Sequence, residues 1–327
     1  MTIRLGTRGS ALALAQSGLV ADALQALTGS AVELVEIVTS GDRSKQPVTS
    51  LGVGVFVSAL RDALAAKEID VAVHSYKDLP SAPADGLVIA AIPERADPRD
   101  ALIARDGLTL AQLPAGSRIG TGAIRRIAQL NALGLPIEIV PIRGNVDTRL
   151  RKVESGELDA VVLARAGLVR LGRGDEITEI LDPSLMLPAP AQGALAVECR
   201  AEDYDLLDVL VKIDHPATRA AVTAERALLA TLEAGCSAPV AGLAELVRSG
   251  ASNADGAHAG GTQIGGVPTD EAYADQIHLR GAAYSTDGRV AFRLTRTGTL
   301  TDAEQVGRLL AEDLLDAGAN TVLGVQA

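Results

Sequence analysis

The sequence predicts an α/β protein in which two similar domains face a cleft and a third, smaller unit follows. Its 327 residues suffice for two or three domains, at roughly 150 residues for each. Short β-branched segments alternate with longer helical segments, a pattern typical of helices that cover a sheet. Two stretches of the chain also echo each other, as a duplicated domain would.

The first ninety residues show the alternation most clearly. We predict three strands here, at Thr2 to Leu5, Val32 to Val38 and Val71 to His74. Two helices separate them, at Ser10 to about Leu27 and at Val55 to Ala66. This part of the chain therefore has the order of an α/β domain.

A second series, from about residue 100 to 190, repeats pieces of the first. Arg4-Leu5-Gly6-Thr7 returns as Arg118-Ile119-Gly120-Thr121, and each copy closes a strand and opens a helix. The segment from Glu68 to Val73 returns in the same way as Glu157 to Val162. The paired motifs lie 64 residues apart in the first copy and 39 in the second, so the repeat is imperfect.

The rest of the chain predicts one further strand and a third unit. The segment from Gly193 to Cys199 is strand-like, and an Ala-rich helix from about Pro216 to Glu233 follows it. The third unit combines strand patterns at Ile277 to Ala283 and Val290 to Leu294 with a last helix at Asp302 to Leu315.

Composition and charge exclude several classes of protein. With 47% apolar and 22% charged residues, the chain is an ordinary globular protein rather than a disordered or fibrous one. Forty-one acidic against thirty basic residues give a net charge of −11, which argues against a nucleic-acid or anionic-membrane partner. There is no basic-then-apolar leader and no apolar run near the roughly 18 residues of a membrane span, so we expect a cytoplasmic protein.

Cysteine and histidine offer one candidate reactive group and no metal site. Two cysteines are too few for a disulfide framework, and the four histidines lack metal-ligand spacing, so no metal is expected. Cys199 lies inside an alternating strand and is expected to be a small buried residue. Cys236 lies in a Gly-Cys-Ser-Ala-Pro loop after a helix, where a thiol can be reactive, although a lone loop cysteine is more often inert.

Basic residues gather in one part of this acidic chain. Residues 95–173 hold twelve Arg and one Lys against eight acidic residues. Several arginines lie where a strand ends or a helix begins: Arg8, Arg125, Arg126, Arg143 and Arg149. Arginine grips carboxylate or phosphate with two parallel bonds, and helix N-termini favour anions, so we predict a polyanionic ligand. The alternative is that each is an ordinary solvated charge. Adjacent Arg125 and Arg126 cannot share one helical face, which favours a site wrapped on two sides.

Asp78 is the candidate for the chemical step. It follows His74-Ser75-Tyr76-Lys77 at the exit of a strand, where open α/β sheets place groups that contact ligands. The alternative is a turn-forming Asp before Leu79-Pro80. His74 is the nearest histidine in sequence, and we expect it to point into the edge of the sheet.

These motifs together resemble the porphobilinogen deaminase (hydroxymethylbilane synthase) family from end to end. The matching strings, in order, are RLGTRGSALALAQ, VHSYKDLP, GTGAIRR, RGNVDTRL, LPAPAQGALAVECR and LEAGC. The resemblance implies a transferase of haem and tetrapyrrole biosynthesis. It joins four molecules of porphobilinogen head to tail into linear hydroxymethylbilane and releases one ammonia for each.

The resemblance also implies a cofactor and a set of site residues. One dipyrromethane per chain is expected on Cys236 through a thioether, and Asp78 matches the catalytic aspartate. Other positions match cofactor-binding residues: Ser75, Lys77, Asp78, Thr121, Arg125, Arg126, Gly144 and Gln192. Positions that match substrate-binding residues are Arg8, Ser10, Phe56, Arg143, Arg149 and Arg170. Each pyrrole carries an acetate and a propionate, so the implied ligand agrees with the predicted polyanion.

Two positions depart from the family pattern. Val53 stands where the family often has a lysine, and Ala123 stands where a serine is more common. A lysine contact and a side-chain hydrogen bond are therefore not expected there. Neither change touches Asp78, Cys236 or the arginines.

For the fold, the resemblance implies two periplasmic-binding-protein-like domains around a cleft and a small α/β C-terminal domain with a short antiparallel sheet. We expect domain 1 to comprise residues 1–92 with 193–214, domain 2 residues 93–192, and domain 3 residues 215–327. A flexible insertion is expected near 249–268, which is dense in Gly, Ala, Ser and Asn. The protein is expected to be monomeric.

Two other readings of the sequence stay open. A non-catalytic anion-binding protein of the same architecture needs the arginines but not Cys236 together with Asp78. A cysteine enzyme of sulfur or acyl transfer needs a base near Cys236, and no histidine is close to it in sequence.

Overall fold

The computed structural model describes residues 2–38, 57–234, 238–247 and 275–323. Its strands in these ranges are β1 (Ile3–Thr7), β2 (Val32–Glu36), β3 (Val71–Ser75), β4 (Leu87–Ala91), β5 (Asp100–Ala104), β6 (Arg118–Thr121), β7 (Glu138–Pro141), β8 (Ala160–Ala164), β9 (Glu179–Ile180), β10 (Leu195–Arg200), β11 (Val240–Val247), β12 (Gln276–Tyr284) and β13 (Ala291–Thr299). The helices are α1 (Ala11–Thr28), α2 (Ser58–Ala65), α3 (Ile124–Ala132), α4 (Val146–Glu154), α5 (Arg165–Arg170), α6 (Tyr204–Leu210), α7 (Pro216–Thr231), α8 (Ala303–Asp316) and α9 (Asn320–Leu323).

Two five-stranded sheets share one topology. The first has the order β2-β1-β3-β10-β4 and the second the order β7-β6-β8-β5-β9. In each sheet four strands run in one direction, and one strand, β10 in the first sheet and β5 in the second, runs antiparallel between two of them. The predicted α/β class is therefore confirmed, and the duplicated motifs occupy equivalent strands.

The third sheet is small and antiparallel, with the order β11-β12-β13. α7 and α8 pack on it through a core of Ala, Val, Leu and Ile side chains, including Leu228 and Leu310. The close approach depends on small residues, because a side chain at Gly307 would overlap the backbone carbonyl of Ala224. This unit confirms the predicted C-terminal domain with a short antiparallel sheet.

Two chain segments pass between the first two sheets, one after β4 and one before β10. Gly193 lies in the second segment with φ +89°, and a side chain there would overlap the carbonyl oxygen of Ala96 in the first. The segments therefore cross in direct contact. Because β10 pairs with β3 and β4, the chain returns to the first sheet after building the second.

Most predicted elements are found with small shifts in their ends, although β13 extends five residues beyond the predicted Leu294. The sequence patterns did not predict β4, β5, β9, β11, α5, α6 or α9. Among the described residues, α2 begins at Ser58, while Val53, Val55 and the predicted insertion at 249–268 lie outside them. The domain boundaries stay a prediction.

One described helix, α1, is long and apolar enough to cross a membrane by length and composition alone. No such segment was expected from the sequence. Core helices of soluble proteins pass the same test, and α1 packs beside the first sheet with Val20 and Leu24 buried. It also buries two polar residues, Gln16 and Ser17.

Candidate active site

Asp78 ends a single 3₁₀ turn, Tyr76–Asp78, that follows β3 directly. β3 is the middle strand of the first sheet, so the turn stands at the carboxyl end of its parallel strands. The Asp78 side chain is exposed, whereas Leu79 beside it is buried. The carboxylate is therefore presented to solvent at the end of the sheet.

His74 lies in β3 at the centre of the sheet, so its predicted position at a sheet edge was wrong. Its side chain is buried, and Nε2 lies 3.1 Å from Glu198 Oε2. Arg61 also binds Glu198, through three hydrogen bonds of 2.9 to 3.1 Å. His74 is thus hydrogen-bonded to Glu198, which also forms an ion pair with Arg61, just before the turn that carries Asp78.

A buried carboxylate, Asp100, binds the adjacent arginines of α3. Arg125 Nη1 and Nη2 donate to its two oxygens at 2.7 and 3.1 Å, and Arg126 Nη2 donates to Oδ1 at 2.8 Å. Both arginines are about 5% exposed. Both guanidiniums converge on this one carboxylate, and a site wrapped on two sides stays a prediction. Burial alone would raise the pKa of Asp100, but the two guanidiniums hold that pKa far below its usual range.

Gln192 connects this cluster to the residue beside Asp78. Its Nε2 donates to Asp100 Oδ1 at 2.8 Å, and its Oε1 accepts hydrogen bonds from Arg125 Nη2 at 3.0 Å and Lys77 Nζ at 3.2 Å. Burial lowers the pKa of Lys77 to about 8, an effect that the charge of Asp78 opposes. The predicted residues Lys77, Arg125, Arg126 and Gln192 therefore form one connected network.

Three more predicted arginines add positive charge around this network. Burial, reinforced by the charges of Arg126 and Arg143, lowers the pKa of Arg149 to about 10. Burial also lowers the pKa of Arg170 to about 10, and its Nη2 donates to the carbonyl oxygen of Gly193 at 2.7 Å. Cations whose charged forms are disfavoured in this way gain stability when an anion arrives.

The first sheet contributes polar groups at its own strand ends. Ser10 caps α1 by accepting a hydrogen bond from the Ala13 amide at 3.3 Å. The Ser75 hydroxyl lies 3.0 Å from the side-chain amide nitrogen of Gln16 on α1. Arg8 is partly buried in the turn between β1 and α1. These residues lie at the same end of the sheet as Asp78.

The residues present fit a bound polycarboxylate such as dipyrromethane. Thr121 Oγ1 and Arg126 Nε are buried and have no hydrogen-bond partner within the part of the chain that the structure describes. A side chain at Gly122 would overlap the carbonyl oxygen of Ile142, and Gly144 has φ +104°, so both turns depend on glycine. Buried orphan polar atoms beside several cations are what a site for a charged, hydrogen-bonding group requires.

Two predicted residues, Cys236 and Phe56, lie outside the described residues. Cys199 is described and fully buried in β10, as expected, and burial raises the pKa of its thiol to about 11. The described residues contain no cluster of His, Cys, Asp and Glu that could hold a metal ion.

Asp100, the central acceptor of the network, is not among the residues predicted from the sequence. Glu225 is not among them either; it is a fully buried residue of α7 that binds Arg95 Nη1 and Nη2 at 2.7 and 2.9 Å. A polar residue on the apolar face of an Ala-rich helix was the available signal for Glu225. Asp100 had a weaker signal, a carboxylate just before the apolar run Ala-Leu-Ile.

Comparison with known families gives two matches. The family model described as porphobilinogen deaminase, dipyromethane cofactor binding domain, matches residues 3–208. The porphobilinogen deaminase C-terminal domain matches residues 219–252.

The curated relatives share far more sequence identity with this chain than the solved structures do. A porphobilinogen deaminase of Nocardia farcinica is 56% identical over 321 residues, which cover 98% of this chain and 88% of that protein. One of Mycobacteroides abscessus is 55% identical over 322 residues, covering 98% and 99%. Solved structures of the methionine binding protein MetQ and of an ABC transporter periplasmic substrate-binding protein from Coxiella burnetii are each 14% identical. They cover 65% and 66% of this chain and 89% and 94% of theirs, with TM-scores of 0.40 and 0.42, and carry no argument at that distance. The relatives and the match over residues 3–208 agree with the site geometry, and the chain belongs to the porphobilinogen deaminase family.

Proposed function

We propose that this protein catalyses the reaction for which its family is named, as a transferase of haem and tetrapyrrole biosynthesis. Its substrate is porphobilinogen, and four molecules are joined head to tail into linear hydroxymethylbilane with release of four ammonia. The observation that carries the proposal is the network of Lys77, Gln192, Asp100 and the α3 arginines beside the turn that ends in Asp78.

The cations bind the carboxylates of the growing chain. Each added ring brings an acetate and a propionate, so the product gains two negative charges at every step. Asp100 neutralises only part of the charge of Arg125 and Arg126, and Arg143, Arg149 and Arg170 add more. Charge-assisted bonds of this kind hold the rings in place for the next addition.

Cys236 is proposed to hold one dipyrromethane covalently, with Ser75, Lys77, Thr121, Gly144 and the α3 arginines around its carboxylates. When bound, this cofactor supplies the pyrrole carbon to which the first substrate is joined. The Thr121 hydroxyl and Arg126 Nε, which are buried and have no partner among the residues that the structure describes, support this proposal. Arg8, Ser10, Phe56, Arg143, Arg149 and Arg170 are proposed to contact the substrate.

Asp78 is proposed to carry the chemical step. As the C–N bond of the substrate breaks, its electron pair leaves with the nitrogen, and the remaining methylene becomes electron-deficient and conjugated with the pyrrole. The Asp78 carboxylate stabilises this positive charge through the pyrrole N–H. In the proposed sequence the protonated Asp78 first gives its proton to the departing amine, the resulting carboxylate stabilises the cation, and it regains a proton from the acceptor carbon after the C–C bond forms.

The test combines product analysis with intact mass. Purified protein supplied with porphobilinogen should release hydroxymethylbilane and four ammonia per product, and its mass should exceed the sequence mass by one dipyrromethane. Cys236→Ala should abolish both, whereas the matched change Cys199→Ala should keep both. Ligand binding without ammonia release would instead indicate an anion-binding protein, and an adduct on Cys199 would overturn the assignment of Cys236.

We also propose that the enzyme is a cytoplasmic monomer without nucleic-acid or membrane partners. Domain 1 is proposed to comprise residues 1–92 with 193–214, and domains 2 and 3 to comprise residues 93–192 and 215–327. The membership of β10 in the first sheet supports this division. Elution at the mass of a single chain in gel filtration would support the monomer.

A further inference from the structure

Arg226 of α7 binds the backbone around Asp78. Its Nη1 donates to the carbonyl oxygens of Tyr76 at 3.2 Å and Leu79 at 3.1 Å, and its Nη2 donates to that of Pro80. The guanidinium carbon also lies 4.7 Å from the centroid of the Tyr76 ring. Three carbonyl groups on both sides of Asp78 thus converge on one side chain.

The turn has little structure of its own to fix it. A 3₁₀ helix of three residues makes few and poorly aligned hydrogen bonds, and here the internal bond runs from the Leu79 amide to the Tyr76 carbonyl at 3.2 Å. Ser75 gives no side-chain cap. Because the Asp78 side chain is exposed, the direction of its carboxylate depends on the backbone that Arg226 holds.

The helix that carries Arg226 is itself anchored at this point. The preceding residue, Glu225, accepts hydrogen bonds from Arg95, from the Ala191 amide at 2.6 Å and from the Ala244 amide at 2.8 Å. Arg95 and Ala191 belong to the two segments that pass between the first two sheets. Glu225 therefore binds the two segments that pass between the sheets, and the adjacent Arg226 binds the turn of Asp78.

The same helix precedes Cys236 in the chain. α7 ends at Thr231, five residues before this cysteine. Arg226 thus links the helix that precedes Cys236 to the turn that carries the carboxylate proposed for catalysis.

We propose that Arg226 is a positioning residue, which fixes the turn of Asp78 relative to the helix that leads to Cys236. The proposal rests on the function proposed for Asp78. Arg226 touches backbone carbonyls and the Tyr76 ring in the structure, so it acts on turnover through the placement of Asp78. A misplacement of about 1 Å in a reacting group can cost about a hundredfold in rate.

The test compares Arg226→Gln with Arg219→Gln. Arg219 lies on the same helix, pairs with Asp214 and donates to the carbonyl of Ala90, but does not touch the turn. We expect Arg226→Gln to lower kcat about tenfold to a hundredfold, with KM and the mass of the bound cofactor unchanged. Amide hydrogen exchange at residues 77–79 should become faster, and Arg226→Lys should restore part of kcat. Arg219→Gln should change none of these.

The outcomes separate the two proposals. The positioning role would be overturned if Arg226→Gln left kcat unchanged. It would also be overturned if the variant lost the cofactor and its KM rose by the same factor by which kcat fell. Turnover retained in Asp78→Asn would overturn the function of Asp78 whatever Arg226 does. If Arg226→Gln fails to fold, Arg226→Lys becomes the test. A kcat and an amide hydrogen exchange at residues 77–79 equal to those of the wild type would then contradict the need for the two donor nitrogens of a guanidinium.

Discussion

The β1–α1 unit and the β6–α3 unit are built on one plan. Leu5 pairs with Val71 in the first sheet as Ile119 pairs with Ala160 in the second. In each unit an aspartate accepts a hydrogen bond from the first strand, the Arg4 amide to Asp70 at 2.9 Å and the Arg118 amide to Asp159 at 2.7 Å. Gly6 and Gly120 each leave room for an apolar side chain at the equivalent position, Ile69 in the first unit and Leu158 in the second.

The units differ in what their first helical turn carries. Counted from the N-cap, the second and third residues are Leu12 and Ala13 in the first unit but Arg125 and Arg126 in the second. The neighbouring antiparallel strand, β5 in the second sheet and β10 in the first, differs at the matching position. Asp100 pairs with Ala164 in the second sheet, and its counterpart Leu195 pairs with Ser75 in the first. One scaffold therefore carries two sets of residues, with the arginines proposed to bind anions concentrated in the second sheet and the carboxylate proposed for catalysis in the first.

The largest expected effect separates chemistry from binding. Asp78→Asn keeps size and polarity and removes the charge, so turnover should fall by about 10²–10⁴-fold while cofactor loading by intact mass stays complete. Asp78→Glu should retain a trace of activity. Release of hydroxymethylbilane within about tenfold of normal by Asp78→Asn, verified free of wild-type enzyme, would mean that Asp78 is only a turn residue.

The next largest effect should come from replacing Asp100 of the second sheet with leucine, the residue at the matching position of the first sheet. Asp100→Leu leaves two buried guanidiniums without their carboxylate, which should lower the free energy of unfolding by about 3–5 kcal/mol. Chemical denaturation of the cofactor-free protein measures it. Leu195→Ala, the change at the matched position, should cost about 2–5 kcal/mol through cavity formation but leave cofactor loading intact. Unaltered stability and loading in Asp100→Leu would contradict the role of the network.

Removing a single guanidinium should weaken binding more moderately. Arg143→Leu or Arg149→Leu should stall assembly at cofactor loading or an early chain length, because a charged hydrogen bond contributes about 1.5–3 kcal/mol. Lysine should rescue only partly, since it cannot grip a carboxylate with two bonds. Arg151→Leu, at an exposed position on α4, is the control. Normal turnover and normal intermediates on native gels in both Leu variants would make Arg143 and Arg149 ordinary surface charges.

The pH dependence of binding should be set by Lys77. Burial lowers the pKa of the Lys77 ammonium to about 8, from 10.5 for a lysine in water. The charged form therefore lowers the free energy of unfolding below pH 8, and this loss is recovered as the pH rises from 8 towards 10.5. A bound carboxylate favours the charged form, so KM for porphobilinogen should rise as the pH passes about 8. In Lys77→Gln this rise should disappear, and an identical KM profile in the variant would assign the titration to another group.

The smallest effect concerns the two helix N-caps. The Ser10 side chain accepts a hydrogen bond from the Ala13 amide. Ala123 also has an extended backbone, with φ −102° and ψ 122°, but its side chain makes no capping hydrogen bond. Ser10→Ala should lower stability by about 1 kcal/mol, and Ala123→Ser should raise it by a similar amount. Thermal unfolding measures both, and shifts of the same sign would show that the two caps are not equivalent.

The sequence predicted the repeated scaffold better than the network within it. Strand ends, helix starts and glycine turns are local patterns, so both β–α units and the arginines at their ends could be found. Asp100 binds residues 25 and 26 positions away, and nothing local marks a single aspartate as their acceptor. β11 was missed because its sequence, VAGLAELV, is rich in Ala, Gly and Glu, which are poor strand formers, and only pairing with β12 makes it a strand.

The place of β10 has a consequence for the order in which the protein can fold during synthesis. β10 lies between β3 and β4, yet the ribosome makes it about a hundred residues after β4. Until then, the facing edges of β3 and β4 have no strand to pair with, whereas all five strands of the second sheet come from the continuous segment 100–180. The second sheet, with the arginines of α3, can therefore fold first, and the first sheet, with Asp78, is completed by the chain that returns from it.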